Sequence, residues 1–342
     1  MSSVVWLASA GGSAAIVAAS TPLVRRLAVA KGVFDDPGAG GHKSHVVPVP
    51  YLGGLAIMTG AVLAQVAVGG GVPGRTAVIL LAAVMLGLVG ALDDRRHLHI
   101  GLRLAAQATA AAVAVAVGVR VNITGSAVVD MVATIAWIVA MTNAVNFLDN
   151  MDGLAAGLAT ASAASAFALA SAAGQTVVAT AASALVGACL GFLVYNRPPA
   201  SIYMGDAGSL FLGFLLAIVV NQVDPAQTPP RSWVVPLLLL AIPVLDTTTV
   251  MLGRWRNGKT LYLGGRDHLS HRLTGRGWSR SDAVLTLVGC QAVLGAFAVF
   301  VGRGWLPLWT IAIGPLPVLV TLILLTMKAD VHGRRPAENH QP

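Results

Sequence analysis

Charged residues are scarce in this chain. Asp, Glu, Lys and Arg together make up 11% of its 342 residues, whereas hydrophobic residues make up 56%. This balance excludes an ordinary soluble globular protein and indicates a polytopic helical membrane protein. Cysteine is scarce too, and because Cys189 and Cys290 both lie in apolar runs, neither a disulfide framework nor a zinc site is indicated. Basic tracts with interleaved aromatic residues are absent, so the net charge of +8 reflects membrane topology and not nucleic-acid binding.

Long apolar runs, in contrast, recur from one end of the chain to the other. Each reaches or approaches the length of a membrane-spanning helix. We therefore predict an all-α polytopic membrane protein with about eleven transmembrane helices. These helices would form a single domain over residues 1–327, followed by a short disordered cytoplasmic tail at residues 328–342. The predicted spans are residues 3–24, 52–69, 76–92, 103–118, 127–143, 153–173, 176–195, 208–223, 233–252, 282–302 and 306–327.

Basic residues are distributed unevenly between the two sides of these predicted spans. All but four of the 22 Lys and Arg residues fall on one side, together with all eight histidines. By the positive-inside rule that side is cytoplasmic, which places the N-terminus outside and the C-terminus inside.

The first span has no basic segment before it and is followed by Arg25 and Arg26, so we interpret it as a retained membrane anchor.

One stretch, residues 142–157, is unusually polar for such a chain. A carboxylate at the bilayer centre costs about 2.5–3.5 kcal/mol on insertion scales, so this stretch must lie at a membrane edge or line a cavity. If it is helical, its three asparagines share one face, with its two aspartates beside them. Such a face suits a metal or a polar ligand, although asparagines also hydrogen-bond between packed helices. The polar residues are Asn143, Asn146, Asp149, Asn150 and Asp152.

Two further acidic motifs lie at the ends of apolar runs. Asp93 and Asp94 end one run, where they either bind a cation or a proton or simply meet water beside two arginines. Carboxylates at a helix C-terminus oppose the helix dipole, which favours the functional interpretation. The sequence GDAGS opens another run at Gly205. Free amides there suit a phosphate and Asp206 suits Mg²⁺, whereas the alternative is a capping aspartate.

Two connections on the predicted cytoplasmic side are rich in basic residues and histidine. Their side chains suit phosphate or sugar oxygens, although inside-positive charge alone also explains them. Asp246 lies inside the ninth predicted span, which indicates either a function or a pairing with a nearby arginine. The candidate residues in the two connections are Lys43 and His45 in residues 34–54, and Arg266, His268, His271 and Arg272 in residues 252–280.

Together, these segments predict one cytoplasmic face that combines carboxylates, amides, helix N-termini and a cationic rim. Oxygen ligands suit a hard cation, and amides and guanidinium groups suit phosphate oxygens, so the face would bind a magnesium–diphosphate ligand. Because it opens onto lipid, it also admits a lipid-borne co-substrate.

The order of these motifs resembles that of the polyprenyl-phosphate N-acetylhexosamine-1-phosphate transferases over about residues 34–273. The matching elements are D-x-P…K-x-H…P…G-G, the paired aspartates, N-x-x-N-x-x-D-x-x-D-G, G-D-x-G-S and H-x-x-H-R. Members transfer HexNAc-1-phosphate from a UDP-sugar to a polyprenyl phosphate with Mg²⁺ and release UMP. The resemblance therefore implies these two substrates, Mg²⁺ (or Mn²⁺) as cofactor, a multi-pass protein of a bacterial-type plasma membrane, and a homodimer, which the family often forms.

The resemblance also implies roles for individual residues. Asn146 and Asp206 would contact the cation, and Asp152 and a stacked Tyr203 would contact the uracil. The catalytic set would be Asp93, Asp94, Asp206 and His268. The remaining substrate-binding residues would be Lys43, His45, Asn143, Asp149, Asn196, Arg266, His271 and Arg272.

The element HLSHRL resembles the HLHHRL of the WecA/TagO-like branch more than the three consecutive histidines of MraY. Two departures stand out, because Ser270 replaces a histidine and Asn150 stands where the usual form has glycine. We expect a UDP-GlcNAc:polyprenyl-phosphate GlcNAc-1-phosphate transferase that initiates a cell-envelope polymer. The alternatives are an MraY-like enzyme acting on UDP-MurNAc-pentapeptide and a nucleotide-sugar or lipid-phosphate transporter.

Overall fold

The fold is a bundle of helices, seen here in a computed structural model that describes residues 2–35, 48–68, 74–223, 228–260, 265 and 267–327. Two short strands, β1 (Phe34–Asp35) and β2 (Val49–Pro50), pair antiparallel. A 3₁₀ turn at Leu308–Ala312 precedes the last helix. The helices are α1 (Ser2–Ala30), α2 (Gly53–Val68), α3 (Gly74–Arg96), α4 (Ile100–Ala116), α5 (Ala127–Leu148), α6 (Leu154–Ala172), α7 (Thr176–Asn196), α8 (Gly205–Asn221), α9 (Arg231–Leu239), α10 (Ala241–Arg256), α11 (Leu269–Thr274), α12 (Arg280–Gly302) and α13 (Pro315–Met327).

Seven helical segments in the described part of the chain are long and apolar enough to cross a membrane, and the bent pair α9–α10 makes an eighth. The shorter helices α2, α4 and α8 are also apolar. The prediction of a polytopic helical membrane protein is therefore confirmed. The count of eleven spans, the orientation and the assignment of residues 1–327 to one domain stay predictions, and the tail at 328–342 lies outside the described residues.

The ninth predicted span, residues 233–252, is not one continuous helix. It bends by 82° between α9 and α10, next to Leu240, and Pro236 lies in the last turn before the break. A broken helix inside a bundle needs partners for the freed backbone groups. Gln291 of α12 supplies them, because its Oε1 accepts from Ile242 N–H at 2.9 Å and its Nε2 donates to Leu239 O at 2.9 Å.

The centre of the bundle is α8, which is buried from Ala207 to Asn221. It packs against α2, α3, α5 and α6. Glycines permit the closest of these contacts, since a Cβ on Gly54 would lie 2.1 Å from Gly208 N and a Cβ on Gly90 would lie 2.3 Å from Asp206 O. These contacts bring the C-terminal end of α3 to the N-terminal end of α8.

Helix α11 is anchored in a separate apolar cluster. Leu269 and Leu273 are one helical turn apart and both are buried. They pack with residues from the ends of α5, α6 and α10 and from α12 and α13. This anchoring leaves the other face of α11, with His271 and Arg272, half-exposed.

Candidate active site

Two adjacent aspartates lie in the last turn of α3, and the second of them connects α3 to the beginning of α8. Asp94 Oδ1 accepts from Asp206 N–H at 2.9 Å and its Oδ2 accepts from Ala207 N–H at 3.3 Å. Asp94 therefore caps α8, where a negative charge also complements the positive end of the helix dipole. Asp93 is 4% exposed, and its Oδ1 accepts from Leu98 N–H at 2.6 Å.

Arg103, in the first turns of α4, contacts two aspartates and one asparagine on three other helices. Its Nη1 lies 2.7 Å from Asp93 Oδ2 and 3.4 Å from Asp206 Oδ2. Its Nη2 donates to Asn146 Oδ1 at 3.3 Å. Because a planar guanidinium can serve several oxygens at fixed angles, Arg103 holds α3, α5 and α8 in a defined relation.

Asn146 lies on the last turn of α5 and faces the start of α8. Its Nδ2 donates to Asp206 Oδ1 at 2.6 Å and to Ser209 Oγ at 2.8 Å. One turn earlier, Asn143 forms a reciprocal amide pair with Gln107 of α4 and donates to Val139 O at 2.8 Å. On this face of α5, the Asn146 amide therefore contacts the Asp206 carboxylate, and the Asn143 amide joins α5 to α4.

The turn after α5 forms a second wall with the segment that precedes α8. Asp152 Oδ2 accepts from Ala200 N–H at 2.9 Å. Gly153 N–H donates to Asn196 Oδ1 at 3.0 Å, and Asn196 Nδ2 donates to Ile202 O at 3.0 Å. Asn196 is 2% exposed, so in this structure it positions two backbone segments.

Tyr203 belongs to the same wall. Its N–H donates to Pro50 O at 3.0 Å, and its carbonyl oxygen accepts from Gly53 N–H at 2.9 Å. The start of α2 is thus hydrogen-bonded to the segment before α8. Tyr51, next to Pro50, donates its hydroxyl to Asp94 O at 2.8 Å, which connects this wall to the acidic cluster.

Helix α11 borders the same region from the other side. His268 Nδ1 lies 2.7 Å from Asp246 Oδ2, and Leu269 N–H donates to Asp246 Oδ1 at 2.7 Å. Asp246 is fully buried and His268 is 4% exposed, so the Asp246 carboxylate has hydrogen-bond partners inside the protein. Ser270 Oγ donates to Asn150 Oδ1 at 2.8 Å, which joins α11 to the turn after α5.

A bidentate ion pair fixes the segment that leads into α11. Arg254 Nε and Nη2 each lie 2.7 Å from a different carboxylate oxygen of Asp267. Arg272 Nε in turn donates to Asp267 O at 2.7 Å. Partial burial acts to raise the pKa of Asp267, but the hydrogen bond and charge of Arg254 outweigh it and hold that pKa below its ordinary value.

Comparisons with known proteins show the family of this chain. Residues 76–223 match the model of glycosyl transferase family 4. The chain is 31% identical to a protein of Bacillus subtilis (strain 168) named "Probable undecaprenyl-phosphate N-acetylglucosaminyl 1-phosphate transferase", over 92% of this chain and 88% of that protein. The chain belongs to glycosyl transferase family 4. The family expected from the motifs is thereby confirmed.

Two further relatives of this family 4 chain come from other bacterial groups. It is 34% identical to the decaprenyl-phosphate N-acetylglucosaminephosphotransferase of Mycobacterium tuberculosis (strain ATCC 25618 / H37Rv), over 86% of this chain and 83% of the relative. It is 26% identical to the undecaprenyl-phosphate alpha-N-acetylglucosaminyl 1-phosphate transferase of Escherichia coli (strain K12), over 80% of this chain and 78% of the relative.

The oxygen atoms around Asp206 fit a hard divalent cation. The Asp206 carboxylate accepts from Asn146 Nδ2 at 2.6 Å, so the side-chain amide that carries the Asn146 oxygen lies directly beside it between α5 and α8. Mg²⁺ is usually held by one or two carboxylates together with substrate phosphates and water, and these two residues match such a partial shell. In the described part of the chain, no three His, Cys, Asp or Glu side chains form a group that could hold a metal by themselves.

The predicted site residues fall into four groups. Asp93, Asp94, Asn146 and Asp206 form the acidic cluster, and Asn143 lies one turn deeper on α5. Asp149, at the C-cap of α5, lies in the same wall as Asp152, Asn196 and Tyr203. His268, His271 and Arg272 lie at the start of α11 or on it. Lys43, His45 and Arg266 lie outside the described residues.

Two expectations differ from the structure. Helix α5 ends at Leu148, so Asn150 does not share a helical face with Asn143 and Asn146; its Nδ2 instead donates to Phe147 O at 2.7 Å. Asp246 pairs with His268 and the α11 backbone, whereas an arginine was the expected structural partner. In both cases a side-chain hydrogen bond accounts for the arrangement, within the turn for Asn150 and between two segments for Asp246.

Arg103, Gln107 and Ser209 contact the site but were not predicted. Arg103 was counted only as part of the inside-positive charge. Gln107 follows Arg103 by four residues, so both side chains lie on one face of α4. That spacing is the sequence feature that indicates a polar face on this helix. Ser209 follows Asp206 by three residues and therefore lies beside it on α8.

Proposed function

We propose that this protein transfers GlcNAc-1-phosphate from UDP-GlcNAc to a polyprenyl phosphate. The products are UMP and a polyprenyl-diphosphate-GlcNAc, the lipid on which a cell-envelope glycopolymer is built. The cluster of Asp93, Arg103, Asn146 and Asp206 is the observation that carries the proposal. It places a carboxylate and an amide, which suit a hard cation, beside a guanidinium, which suits phosphate oxygens, at the end of an apolar bundle. The names of the three relatives support the same reaction.

In the proposed reaction, an oxygen of the lipid phosphate attacks the β-phosphorus of UDP-GlcNAc. A new P–O bond forms as the bond from the β-phosphorus to the bridging oxygen breaks, and that oxygen leaves with UMP. When bound, Mg²⁺ at Asp206 and Asn146 supplies neutralisation of the diphosphate charge. Arg103 orients the phosphoryl oxygens, and the α8 N-terminus, capped by Asp94, is held rigid beside them.

Asp93 is proposed as a positioning group and not as an obligatory base. Its Oδ1 accepts a hydrogen bond from Leu98 N–H and its Oδ2 forms an ion pair with Arg103, so both carboxylate oxygens are engaged in holding neighbouring groups. A phosphate monoester has a second pKa near 6, so the lipid phosphate is largely ionised at pH 7 without a base. If the Asp93→Asn variant kept full activity at every pH tested, Asp93 would not act as a base.

The wall opposite the acidic cluster would hold the nucleotide and the sugar. We assign the uracil to Asp152 and Tyr203, with Asn143, Asp149 and Asn196 shaping the surrounding surface. The sugar and diphosphate would lie towards His268, His271 and Arg272, and Lys43, His45 and Arg266 would complete the cationic rim. We place this face on the cytoplasmic side of a bacterial-type plasma membrane, where nucleotide sugars are available. We also propose that the protein forms a homodimer.

The test is a reconstitution assay. Purified protein in detergent is incubated with Mg²⁺, a polyprenyl phosphate and either UDP-GlcNAc or UDP-MurNAc-pentapeptide, and UMP and the lipid product are measured. We expect UMP from UDP-GlcNAc only, and none when Asp206→Asn replaces the wild type. UMP from the pentapeptide substrate would indicate an MraY-like enzyme. No UMP from either sugar, together with uptake of the nucleotide sugar into proteoliposomes, would indicate a transporter.

A further inference from the structure

The hydrogen bond between Asn150 and Ser270 joins two positions at which the sequence differs from the motifs that it resembles. We propose that this bond is a positioning contact that sets α11 against the turn after α5, and that it thereby controls how tightly the nucleotide sugar binds. The proposal rests on the proposed function. It assigns no chemistry to either residue, because neither belongs to the acidic cluster.

Asn150 is held at both ends of its side-chain amide. Its Nδ2 donates to Phe147 O at 2.7 Å, which satisfies one of the free carbonyls at the end of α5. Its Oδ1 accepts from Ser270 Oγ at 2.8 Å. The amide is therefore a bridge from the end of α5 to α11, and a glycine at this position could form neither bond.

Ser270 is fully buried, so its hydroxyl needs a partner within the protein. Asn150 is the partner, since Ser270 Oγ donates to Asn150 Oδ1. Ser270 follows directly after His268 and Leu269, which are held by Asp246. Helix α11 is thus fixed at its first residue by α10 and at its second by the turn after α5.

These two attachments decide where the exposed side of α11 points. His271 and Arg272 follow Ser270 immediately and are half-exposed. Asp152, on the opposite wall, follows Asn150 by two residues. A change in the Asn150–Ser270 distance therefore changes the separation between the two walls that are proposed to hold the nucleotide and the sugar.

The contact also limits which pairs of side chains these two positions can hold together. A histidine at position 270 is much larger than serine and would enter a fully buried space beside Asn150. A glycine at position 150 would leave room for it. Asparagine at position 150 with serine at position 270 therefore fills the same space as glycine at position 150 with histidine at position 270. A larger side chain at one position without a smaller one at the other would overpack this buried site and destabilise the protein.

The experiment measures kcat and KM for UDP-GlcNAc in Asn150→Gly, Ser270→Ala, Ser270→Thr and the double variant Asn150→Gly/Ser270→Ala. We expect KM to rise about three- to tenfold in both single variants and in the double variant, with kcat within about twofold of wild type. The double variant should be no worse than Asn150→Gly, because that single variant already loses the bond to Ser270 as well as the bond to Phe147 O. Ser270→Thr keeps the hydroxyl and should stay closer to wild type than Ser270→Ala.

A reciprocal exchange supplies a second test. Ser270→His alone should lower kcat/KM by about tenfold or more, and Asn150→Gly/Ser270→His should recover most of that loss. The matched control is Ser183→Ala, which removes another buried hydroxyl whose donation to Thr180 O, at 2.9 Å, lies within α7. We expect its kinetic constants to equal those of wild type.

Hydrogen–deuterium exchange gives a readout that does not depend on activity. Amides of residues 268–275 should exchange faster in Ser270→Ala than in wild type or Ser183→Ala. Multiplicative effects of the single variants on KM, or unchanged exchange in α11, would overturn the positioning role while leaving the proposed reaction intact. A wild type that releases no UMP would instead overturn the proposed reaction.

Discussion

Arg103 is the residue on which the acidic cluster depends most. Its guanidinium lies against Asp93, Asp206 and Asn146, so its removal leaves carboxylates close together without a compensating charge. We predict that Arg103→Gln lowers kcat by about 100-fold or more, because charge stabilisation at a transition state is worth about that much per donor. Arg103→Lys should retain more activity than Arg103→Gln, because an ammonium keeps the charge but not the planar geometry.

The measurement is UMP release at saturating substrates, with thermal stability in detergent measured on the same samples. Arg120→Gln is the control, since Arg120 is exposed and lies in a connection on the other predicted side of the membrane. Equal activity of Arg103→Gln and wild type would remove Arg103 from the site.

At the residue scale, the carboxylates and amides of the site are easier to find in the sequence than its positively charged residue, Arg103. Asp93, Asp206 and Asn146 stand out because polar residues are rare in apolar runs. Arg103 does not stand out, because it lies among many basic residues on the same predicted side. Its partners come from α3, α5 and α8, and a contact between residues so far apart in the chain cannot be read from local spacing.

At the element scale, the crossing of α2 and α8 depends on glycine. A Cβ on Gly54 would lie 2.1 Å from Gly208 N and 2.4 Å from Gly208 Cα, and backbone atoms cannot move aside as a flexible side chain can. We predict that Gly54→Ala lowers both the thermal stability and the activity, with a cost of about 1–3 kcal/mol, as is typical for overpacking. Gly289→Ala in α12 is the control, because a Cβ there meets nothing within 4 Å. If the two variants had equal melting temperatures, the crossing would not be as close as described.

The Arg254–Asp267 ion pair connects α10 to the segment before α11 and makes that connection sensitive to acid. Because the pKa of Asp267 is lower in the folded chain, its contribution to stability is fully present above the ordinary aspartate pKa of about 3.9. It is lost as the pH falls through the lower folded value. We predict that the melting temperature of the wild type falls more steeply below about pH 4 than that of Asp267→Asn.

The measurement is thermal unfolding in detergent between pH 7 and pH 3. At pH 7 the Asp267→Asn variant should be less stable than wild type, and the difference should shrink as the pH falls. A constant difference across this range would show that the carboxylate charge contributes nothing.

The helices themselves were predictable from hydropathy, because each apolar run coincides with a helix or with a bent pair. The break at Leu240 was not predicted. Pro236 is visible in the sequence, but the partner that stabilises the break, Gln291, lies on a helix about fifty residues further along. The end of α5 at Leu148 was missed for a different reason, since it depends on a local bond from the Asn150 side chain to Phe147 O, which the helical spacing of the asparagines does not indicate.

At the scale of the whole molecule, the candidate site is assembled where several helix ends meet. The C-terminal ends of α3 and α5 face the N-terminal ends of α4 and α8, and α11 lies beside them. Helix ends carry free backbone groups, which polar side chains and charged ligands can satisfy. A bundle that collects its helix ends at one face therefore gains a polar site without placing charge in the middle of the membrane.

The orientation of this face is the last prediction. Because all but four of the 22 Lys and Arg residues lie on one predicted side, the positive-inside rule places the acidic cluster on the cytoplasmic side and the N-terminus outside.

The test uses a background in which Cys189 and Cys290 are replaced by alanine, with single cysteines at Arg120, Arg303 or Lys259. All three positions are exposed. A membrane-impermeant maleimide added to intact cells should label Arg120→Cys and Arg303→Cys, whereas Lys259→Cys should be labelled only after the membrane is permeabilised. Labelling of Lys259→Cys in intact cells would place the cluster outside, away from cytoplasmic nucleotide sugars, and would contradict the proposed reaction as well as the topology.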